Sequence, residues 1–459
     1  MVPVCDSDWF RVDLLALSRS GDLSATATTR NVRGGMIVTI LVLGLLALLG
    51  MPLFAVIATG ALWGFYQADV DLAVVAIEFY RIAEMPVLLA IPLFTFAGYL
   101  LSESQAPNRL VNLTQALIGW MPGGLALVSL AVCAFFTAFT GASGVTIIAL
   151  GALLYPALRQ ADYAENYSLG LVTTSGSLGL LFAPSLPLIL YGIVAQQLNV
   201  GPSISIDQLF LAGIFPGLLM LLLLGGWSCW KNRAIRQPLS EFSWTKVGKA
   251  IREAIWELPL PFVVLGGIYS GYFAVSEAAA VTAAYVFIVE VFILREISFR
   301  KLPTVMHRSM VLVGGILIIL GLSLASTNVM IDSGVPERLF TFVQQTVNSK
   351  LTFLLLLNLF LLCLGALLDI FSALVLVVPL ILPVAVGYGI HPVHLGIIFL
   401  ANMQIGYLTP PVGMNLFIAS YRFERPITQL YRATWPFLVL LLICVALITY
   451  FPQLSMVLL

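Results

Sequence analysis

The run FLLLLNLFLLCLGALL (353–368) has almost nothing to offer water. MIVTILVLGLLALLG (36–50) and PFLVLLLICVALITYF (436–451) are of the same kind. Alone or with their flanks, such runs are long enough to cross a hydrocarbon core about 30 Å thick. No water enters that core, so the backbone must satisfy its own hydrogen bonds, and a helix is the way a single segment does so. Composition agrees: 60% of the residues are hydrophobic, 10% are charged and the mean hydropathy is +1.03, against roughly 25% charged in soluble domains. The fold class expected is an all-α polytopic membrane protein embedded in a lipid bilayer. The net charge of zero says nothing about partners; no nucleic-acid partner is expected. The five cysteines are scattered, without a C-x-x-C pair, and point to neither metal nor redox chemistry.

Residues 1–35 are polar, mixed in charge and unlike a signal peptide. They read as a disordered tail or as the product of an upstream start codon, with Met36 the working start. Beyond them, Lys and Arg sort the sides of the membrane. The stretches 231–252 and 295–308 are basic and read as cytoplasmic loops. Between them two helices, about 257–273 and 275–294, run up and back. Arg422, Arg425 and Arg432 then fall inside, as do Arg30 and Arg33, and the acidic stretch 69–84 falls outside. This path takes 36–66 as one crossing, interrupted at Gly50 and Pro52.

The chain also resembles itself. LLSESQAPNRLVNLTQ (100–115) matches VMIDSGVPERLFTFVQ (329–344), pairing Pro107 with Pro336, Arg109 with Arg338 and Gln115 with Gln344. Downstream, Pro156 matches Pro383, and LFAPSLPLILYGI (181–193) matches YLTPPVGMNLFIA (407–419). On the charge path the two copies have opposite orientation. Inverted repeats with paired, Gly/Pro-interrupted hydrophobic segments point to a secondary transporter and its binding site.

Each copy has two interruptions. The first copy has FTGASGVT (139–146), between arms of about 123–138 and 146–158, and FAPSLP (182–187) within 166–196. The second has LGALLDIFS (364–372), between arms 351–363 and 373–386, and LTPPVG (408–413) within 394–421. Arms of this length span only about 20–27 Å and suit re-entrant hairpins. Proline removes a backbone donor and glycine permits the turn. Unwound backbone at membrane depth belongs in protein or at a cavity. Its carbonyls suit Na⁺, and the helix amino termini beyond it suit a carboxylate. Thr140, Ser143, Thr146, Thr173, Thr174, Ser175, Ser177 and Ser185 stand at or near the breaks of the first copy. Asp369, Ser372, Thr409 and Asn415 stand at those of the second. Asp369 is the one acid at a break; an intramembrane carboxylate is a functional candidate, and a helix cap is the other reading. No Lys or Arg occurs in 123–158, 166–196 or 351–421. An anion there is balanced by helix dipoles and co-bound cations, which favours coupling to Na⁺.

LTPPVGMNLFIAS (408–420), GIHPVHLGIIFLANMQIGY (389–407), GYFAVSEAAAVTAAY (271–285), AIPLFTFAGYLL (90–101) and SGSLGLLFAPSLPLILYG (175–192) together resemble the large membrane subunit of the tripartite ATP-independent periplasmic (TRAP) transporters. The resemblance covers 36–459. It implies an elevator-type transporter with two re-entrant helical hairpins and two broken helices. The implied divisions are 36–122, scaffold and arm helices; 123–196, first hairpin and broken helix; 197–350, scaffold and second arm; 351–421, second hairpin and broken helix; and 422–459, a C-terminal scaffold helix. It implies Na⁺-driven uptake of an organic acid across the bacterial inner membrane. The implied partners are a small four-helix membrane subunit and a periplasmic substrate-binding protein. Carried onto this chain, the Na⁺ positions are Gly141, Ser143, Gly144, Ser175, Gly365, Asp369, Val412 and Gly413. The substrate positions are Thr146, Pro184, Ser185, Ser372, Thr409, Pro410, Pro411 and Asn415. The chain departs from the family pattern at Ala183, Ser276 and Ile370, which leaves the substrate open. Glu277, at the turn of a helix pair, reads as a structural cap.

Two rivals remain at this level. Gly141-Ala142-Ser143-Gly144 also resembles the serine of an intramembrane protease, but a nucleophilic serine needs a base within hydrogen-bond reach. The three histidines lie in a basic loop (His307) and in the loop GIHPVH (His391, His394). A stand-alone Na⁺/dicarboxylate elevator carrier is the closer alternative.

Overall fold

The computed structural model describes residues 42–46, 49–67, 70–121, 123–233, 242–347 and 349–459. The extension 1–35, with Arg30 and Arg33, lies outside them. All the regular structure described is helical. In chain order the helices are α1 (Leu53–Gln67), α2 (Ala73–Ala83), α3 (Ala90–Glu103), α4 (Ala106–Ile118), α5 (Gly124–Thr140), α6 (Ser143–Ala149), α7 (Gly151–Gln160), α8 (Glu165–Ser175), α9 (Leu186–Leu198) and α10 (Ile206–Lys231). They continue as α11 (Trp244–Glu253), α12 (Pro259–Tyr269), α13 (Val275–Phe287), α14 (Leu302–Asp332), α15 (Val335–Thr346), α16 (Lys350–Leu367), α17 (Ile370–Gly387), α18 (Pro392–Gly406), α19 (Met414–Phe423), α20 (Ile427–Tyr450) and α21 (Gln453–Met456). Among the described residues, seven helices are long and apolar enough to cross a membrane, or eight if the bent pair 165–181 and 186–198 is one span.

The two halves repeat in element order. An amphipathic helix (α4, α15) precedes a helical pair (α5 with α6–α7, α16 with α17). A broken helix follows (α8 and α9, α18 and α19), and then a long apolar helix (α10, α20). The halves also exchange partners. α9 of the first copy packs on α17 of the second, and α19 of the second packs on α6 of the first. Likewise α8 packs on α20, and α18 on α10. The first three pieces of the broken helices are therefore interior, and every residue from Pro392 to Gly406 is buried, whereas α19 leaves Met414, Phe417 and Tyr421 exposed. In the most apolar windows of α10, α14 and α20, only half the residues are buried, which leaves the other half to face lipid or a partner.

Two expectations are corrected. First, the chain does not pass straight through 36–66. Gly50 takes a positive φ of +94°, which glycine adopts without steric cost, and Pro52 stands just before α1. The chain doubles back there: a Cβ on Gly60 would meet the Leu43 side chain at 3.6 Å. The agreement of Arg30 and Arg33 with the charge path rested on a single crossing and is withdrawn. Second, α12 has 11 residues rather than running 257–273, about 16 Å of helix. Pro259 stands at its first turn, and Gly271, at φ +74°, lies just beyond its end. The chain still reverses into α13, where the Ala274 N–H donates to Glu277 Oε2 at 2.9 Å. Glu277 is the cap its position called for.

Candidate functional site

The first interruption is shorter than its sequence. α5 runs on to Thr140 and α6 begins at Ser143, so only Gly141 and Ala142 leave the helix. Gly141 (φ +65°) returns its N–H to the Thr137 carbonyl at 2.8 Å, a left-handed helix ending. A Cβ there would stand 2.5 Å from Leu186 Cδ1, so this tip rests on the start of α9. Thr137 Oγ1 lies 2.7 Å from Thr146 Oγ1 and 2.9 Å from the Gly176 carbonyl. These contacts tie both arms to the first helix break.

The second interruption is shorter still relative to its sequence. α16 extends through Gly365 to Leu367, and only Leu368 and Asp369 separate it from α17. Both arms have 18 residues, longer than the sequence pattern gave them. Gly365 is helical because it is needed for contact: a Cβ there would stand 3.0 Å from Gly406 Cα. The tip is pinned to the second break by the Gly413 N–H donating to the Ala366 carbonyl (3.1 Å) and the Ile370 N–H to Tyr407 Oη (2.6 Å). Asp369 Oδ2 accepts the N–H groups of Phe371 and Ser372, each at 3.1 Å. The cap is real, and it occupies one carboxylate oxygen.

Several hydrogen bonds join the repeats, among them Tyr191 Oη to the Pro392 carbonyl at 2.6 Å, and one joins two of the site residues read from the sequence. Ser143 Oγ, at the amino terminus of α6, donates to Asn415 Oδ1, in the first turn of α19, at 2.7 Å. The residues are 5% and 0% exposed. Beside them, a Cβ on Gly144 would stand 2.7 Å from Ile418 Cδ1. Ser143, Gly144 and Asn415 thus form one group across the repeats. Gly365, Asp369 and Gly413 form a second within the second repeat. The two breaks differ in exposure: Pro184 and Ser185 are buried, whereas Pro410, Pro411 and Val412 are exposed. Each break holds a cis X-Pro bond, Ala183-Pro184 and Pro410-Pro411.

The hydroxyls have local partners. Ser175 donates to the Val172 carbonyl (3.2 Å), Ser185 to Leu180 (2.5 Å) and Thr409 to Ile405 (3.1 Å). A hydroxyl that has spent its proton on a carbonyl keeps its oxygen lone pairs, which suit a cation. Buried Thr140 Oγ1, Thr174 Oγ1 and Asn415 Nδ2 have no partner. Orphaned buried polar atoms of this kind call for water or a ligand. Thr140 and Thr174 are two of the hydroxyls that the sequence places at or near the breaks of the first copy. Four helix amino termini, those of α6, α9, α17 and α19, begin at the breaks. Asp369 already caps that of α17, which leaves the others for an anion.

The loop placement of the histidines holds for one of three, since His307 lies in α14 and His394 in α18. His391 is the cap of α18, its Nδ1 accepting from the Val393 N–H at 3.3 Å. His394 lies inside that helix, buried, with Nδ1 2.6 Å from Ser455 Oγ. Neither bonds Ser143, whose partner is an amide. The sequence pattern also missed a buried amide network, in which Asn402 Nδ2 donates to Asn358 Oδ1 (2.6 Å) and Thr449 joins at 3.1 Å.

Residues 37–454 match the family described as tripartite ATP-independent periplasmic transporter, DctM component. The chain belongs to this family. Among its relatives is the C4-dicarboxylate TRAP transporter large permease protein DctM of Rhodobacter capsulatus, 34% identical over 90% of this chain and 96% of that one. Another is the sialic acid large permease SiaM of Vibrio cholerae, 32% identical over 81% and 86%. The isethionate permease DctMQ of Oleidesulfovibrio alaskensis is 33% identical over 92% of this chain and 65% of its own length. In structure the chain is similar to the YdaH transporter of Alcanivorax borkumensis, at a TM-score of 0.59 and 14% identity, over 83% of this chain and 87% of that one. This TRAP large permease subunit is a multi-pass protein of the inner membrane. It is a transporter component and not a protease, so Ser143 is not a nucleophile.

Proposed function

We propose that this subunit carries an organic acid into the cell together with Na⁺, by elevator movement of the two hairpins and two broken helices against the remaining helices. In this reading the hairpins are re-entrant. A periplasmic binding protein delivers the substrate and a small four-helix subunit completes the scaffold. The relatives' names span dicarboxylate, isethionate, ectoine and sialic acid, so the substrate class is a small organic acid or zwitterion. The fusion DctMQ by its name joins two components in one chain, which supports a separate small subunit here.

The observation that carries the reading is the Ser143–Asn415 hydrogen bond, with the exchange of α9 and α19 between the repeats. It makes the hairpins and broken helices one packed unit. α3 and α14 meet that unit through small contacts: Gly98 against the backbone of Phe139 and Thr140, and Ser323 Oγ donating to the Val375 carbonyl at 2.6 Å. In this scheme α10 and α20, which pack on α18 and α8, are counted with that unit rather than with the remaining helices. Na⁺ in this scheme is a transported substrate held by hydroxyl and backbone oxygens near Gly141, Ser143, Gly144 and Ser175, and near Gly365, Asp369, Val412 and Gly413. The acid faces Thr146, Pro184, Ser185, Ser372, Thr409, Pro410, Pro411 and Asn415, with the free helix amino termini supplying positive potential. The test is uptake into proteoliposomes with the partner proteins and a panel of organic acids, with and without an inward Na⁺ gradient. Accumulation independent of Na⁺ refutes the coupling.

A further inference from the structure

α11 (Trp244–Glu253) is too short and too polar to span, yet it carries two separate apolar faces. Val247, Ala250 and Ala254, just past the helix end, are buried; Ala250 and Ala254 form a small core with Leu113 of α4. Trp244, Ile251 and Ile255, on the neighbouring face, are 78%, 42% and 53% exposed. Phe242 and Trp120 extend that face, their rings 6.0 Å apart, with Trp244 5.0 Å from Phe242. The third face is basic, with exposed Lys246, Lys249 and Arg252 against one acid, Glu253. A helix with exposed aromatics beside lysines is built to lie in a membrane interface. Between α11 and α4 lies an open cavity of about 320 Å³, lined by Asn112, Gln115, Lys246, Lys249 and Glu253. Lys249 reaches Glu253 only at 3.9 Å, a loose exposed pair of little worth, so its charge is available.

We propose that the cleft between α4 and α11 binds the headgroup of an anionic phospholipid, its acyl chains lying along Trp244, Ile251 and Ile255. Lys246 and Lys249 supply the charge complementarity, and the amides of Asn112 and Gln115 donate to phosphate oxygens. The lipid then bridges α4, which leads into the first hairpin, and the helix that follows the basic loop.

The test is native mass spectrometry of the purified full chain in neutral detergent, titrated with phosphatidylglycerol or phosphatidylcholine. Each lysine near an anionic surface contributes roughly fivefold. Lys246→Gln with Lys249→Gln is therefore expected to lower phosphatidylglycerol retention by roughly 5- to 30-fold, with phosphatidylcholine unchanged. Lys246→Arg with Lys249→Arg retains the lipid. Trp244→Ala weakens both lipids and reports the apolar half of the site should the double glutamine variant fail to fold. Equal retention by wild type and the glutamine variant overturns the proposal. So does displacement by millimolar glycerol phosphate, which makes the cleft a free-phosphate site. Exclusion of the lipid by a co-expressed small subunit also overturns it, and makes this face a protein interface.

Discussion

The Ser143–Asn415 bond predicts how the proposed ion site, spanning two repeats, responds to a single lost atom. Ser143→Ala strands Asn415 Oδ1, and Asn415→Leu strands Ser143 Oγ. Both groups are buried and 2.7 Å apart, so neither can turn to water. An unsatisfied buried polar group costs about 1–3 kcal/mol, roughly 5- to 150-fold in an equilibrium constant. Where that cost appears separates the roles. If the pair belongs to the Na⁺ site, the half-saturating Na⁺ concentration for uptake rises in both variants by a factor within that range. If it only fastens α6 to α19, thermal stability in detergent falls while the Na⁺ dependence stays. The double variant closes the cycle, with an interaction term of about 0.5–3 kcal/mol expected for contacting groups. The assay is Na⁺ titration of uptake in proteoliposomes with the partner proteins present, beside thermal unfolding of the same preparations. Unchanged Na⁺ dependence in both single variants, together with additive stability effects, would refute the claim that tip and break act as one unit.

Gly406→Ala places its Cβ 2.5 Å from Gly365 Cα, a backbone clash expected to cost about 1–3 kcal/mol. Gly314→Ala meets nothing within 4 Å in a helix and should gain about 0.5–1 kcal/mol; thermal unfolding that ranks them otherwise contradicts the packing. Cysteines replacing exposed Asn112 and Gln345 in a cysteine-free background should label from opposite sides of the membrane, and labelling from one side removes the inverted repeat. Arg109 holds Glu257 Oε1 at 2.6 Å, Glu290 at 3.6 Å and Glu296. Arg109→Ala leaves three carboxylates around an empty centre and should cost about 3–5 kcal/mol. Burial already holds Glu257 above its ordinary value of 4.5. A raised carboxyl favours the fold while protonated, so the deficit should shrink towards pH 4.5 and grow as pH rises above it. A deficit flat with pH between 4.5 and 8 counts against this account.

Much of this architecture was legible because the bilayer leaves few choices. Uncharged runs had to be helices, and the paired prolines and arginines of 100–115 and 329–344 announced the repeat. What escaped was contact between distant segments. Ser143 and Asn415 were both at breaks in the pattern, but no local signal joins residues so far apart in sequence. The fold-back at Gly50 escaped for a related reason. Gly50 and Pro52 fit an interrupted crossing as well as a turn, and only the packing of Leu43 against Gly60 decides between them. His394 looked like a loop residue because Pro392 precedes it. A proline in the first helical turn starts a helix as readily as it ends one, and that is its place in α18.

The glycines show why break lengths were over-read. A glycine in an apolar run signals either a backbone turn or a close approach, and the letter is the same. Gly141 and Gly413 turn the chain, with φ of +65° and +59°. Gly144, Gly365 and Gly406 stay helical, and their missing Cβ atoms admit Ile418, the Gly406 backbone and the Gly365 backbone. Each hairpin therefore combines a turn of only two residues with a neighbouring glycine that lets the opposing helix approach within contact distance. The short turns keep carbonyl oxygens and helix amino termini together, and the close approaches fix those groups against the broken helices. Lengthening a turn would free more carbonyls but give up the fixed geometry that the proposed ion site needs. Replacing a packing glycine would keep the carbonyls and push the two elements apart. A site of this kind depends on both uses of glycine within a few residues, so FTGASGVT and LGALLDIFS read as broad interruptions while the chain breaks at two residues in each.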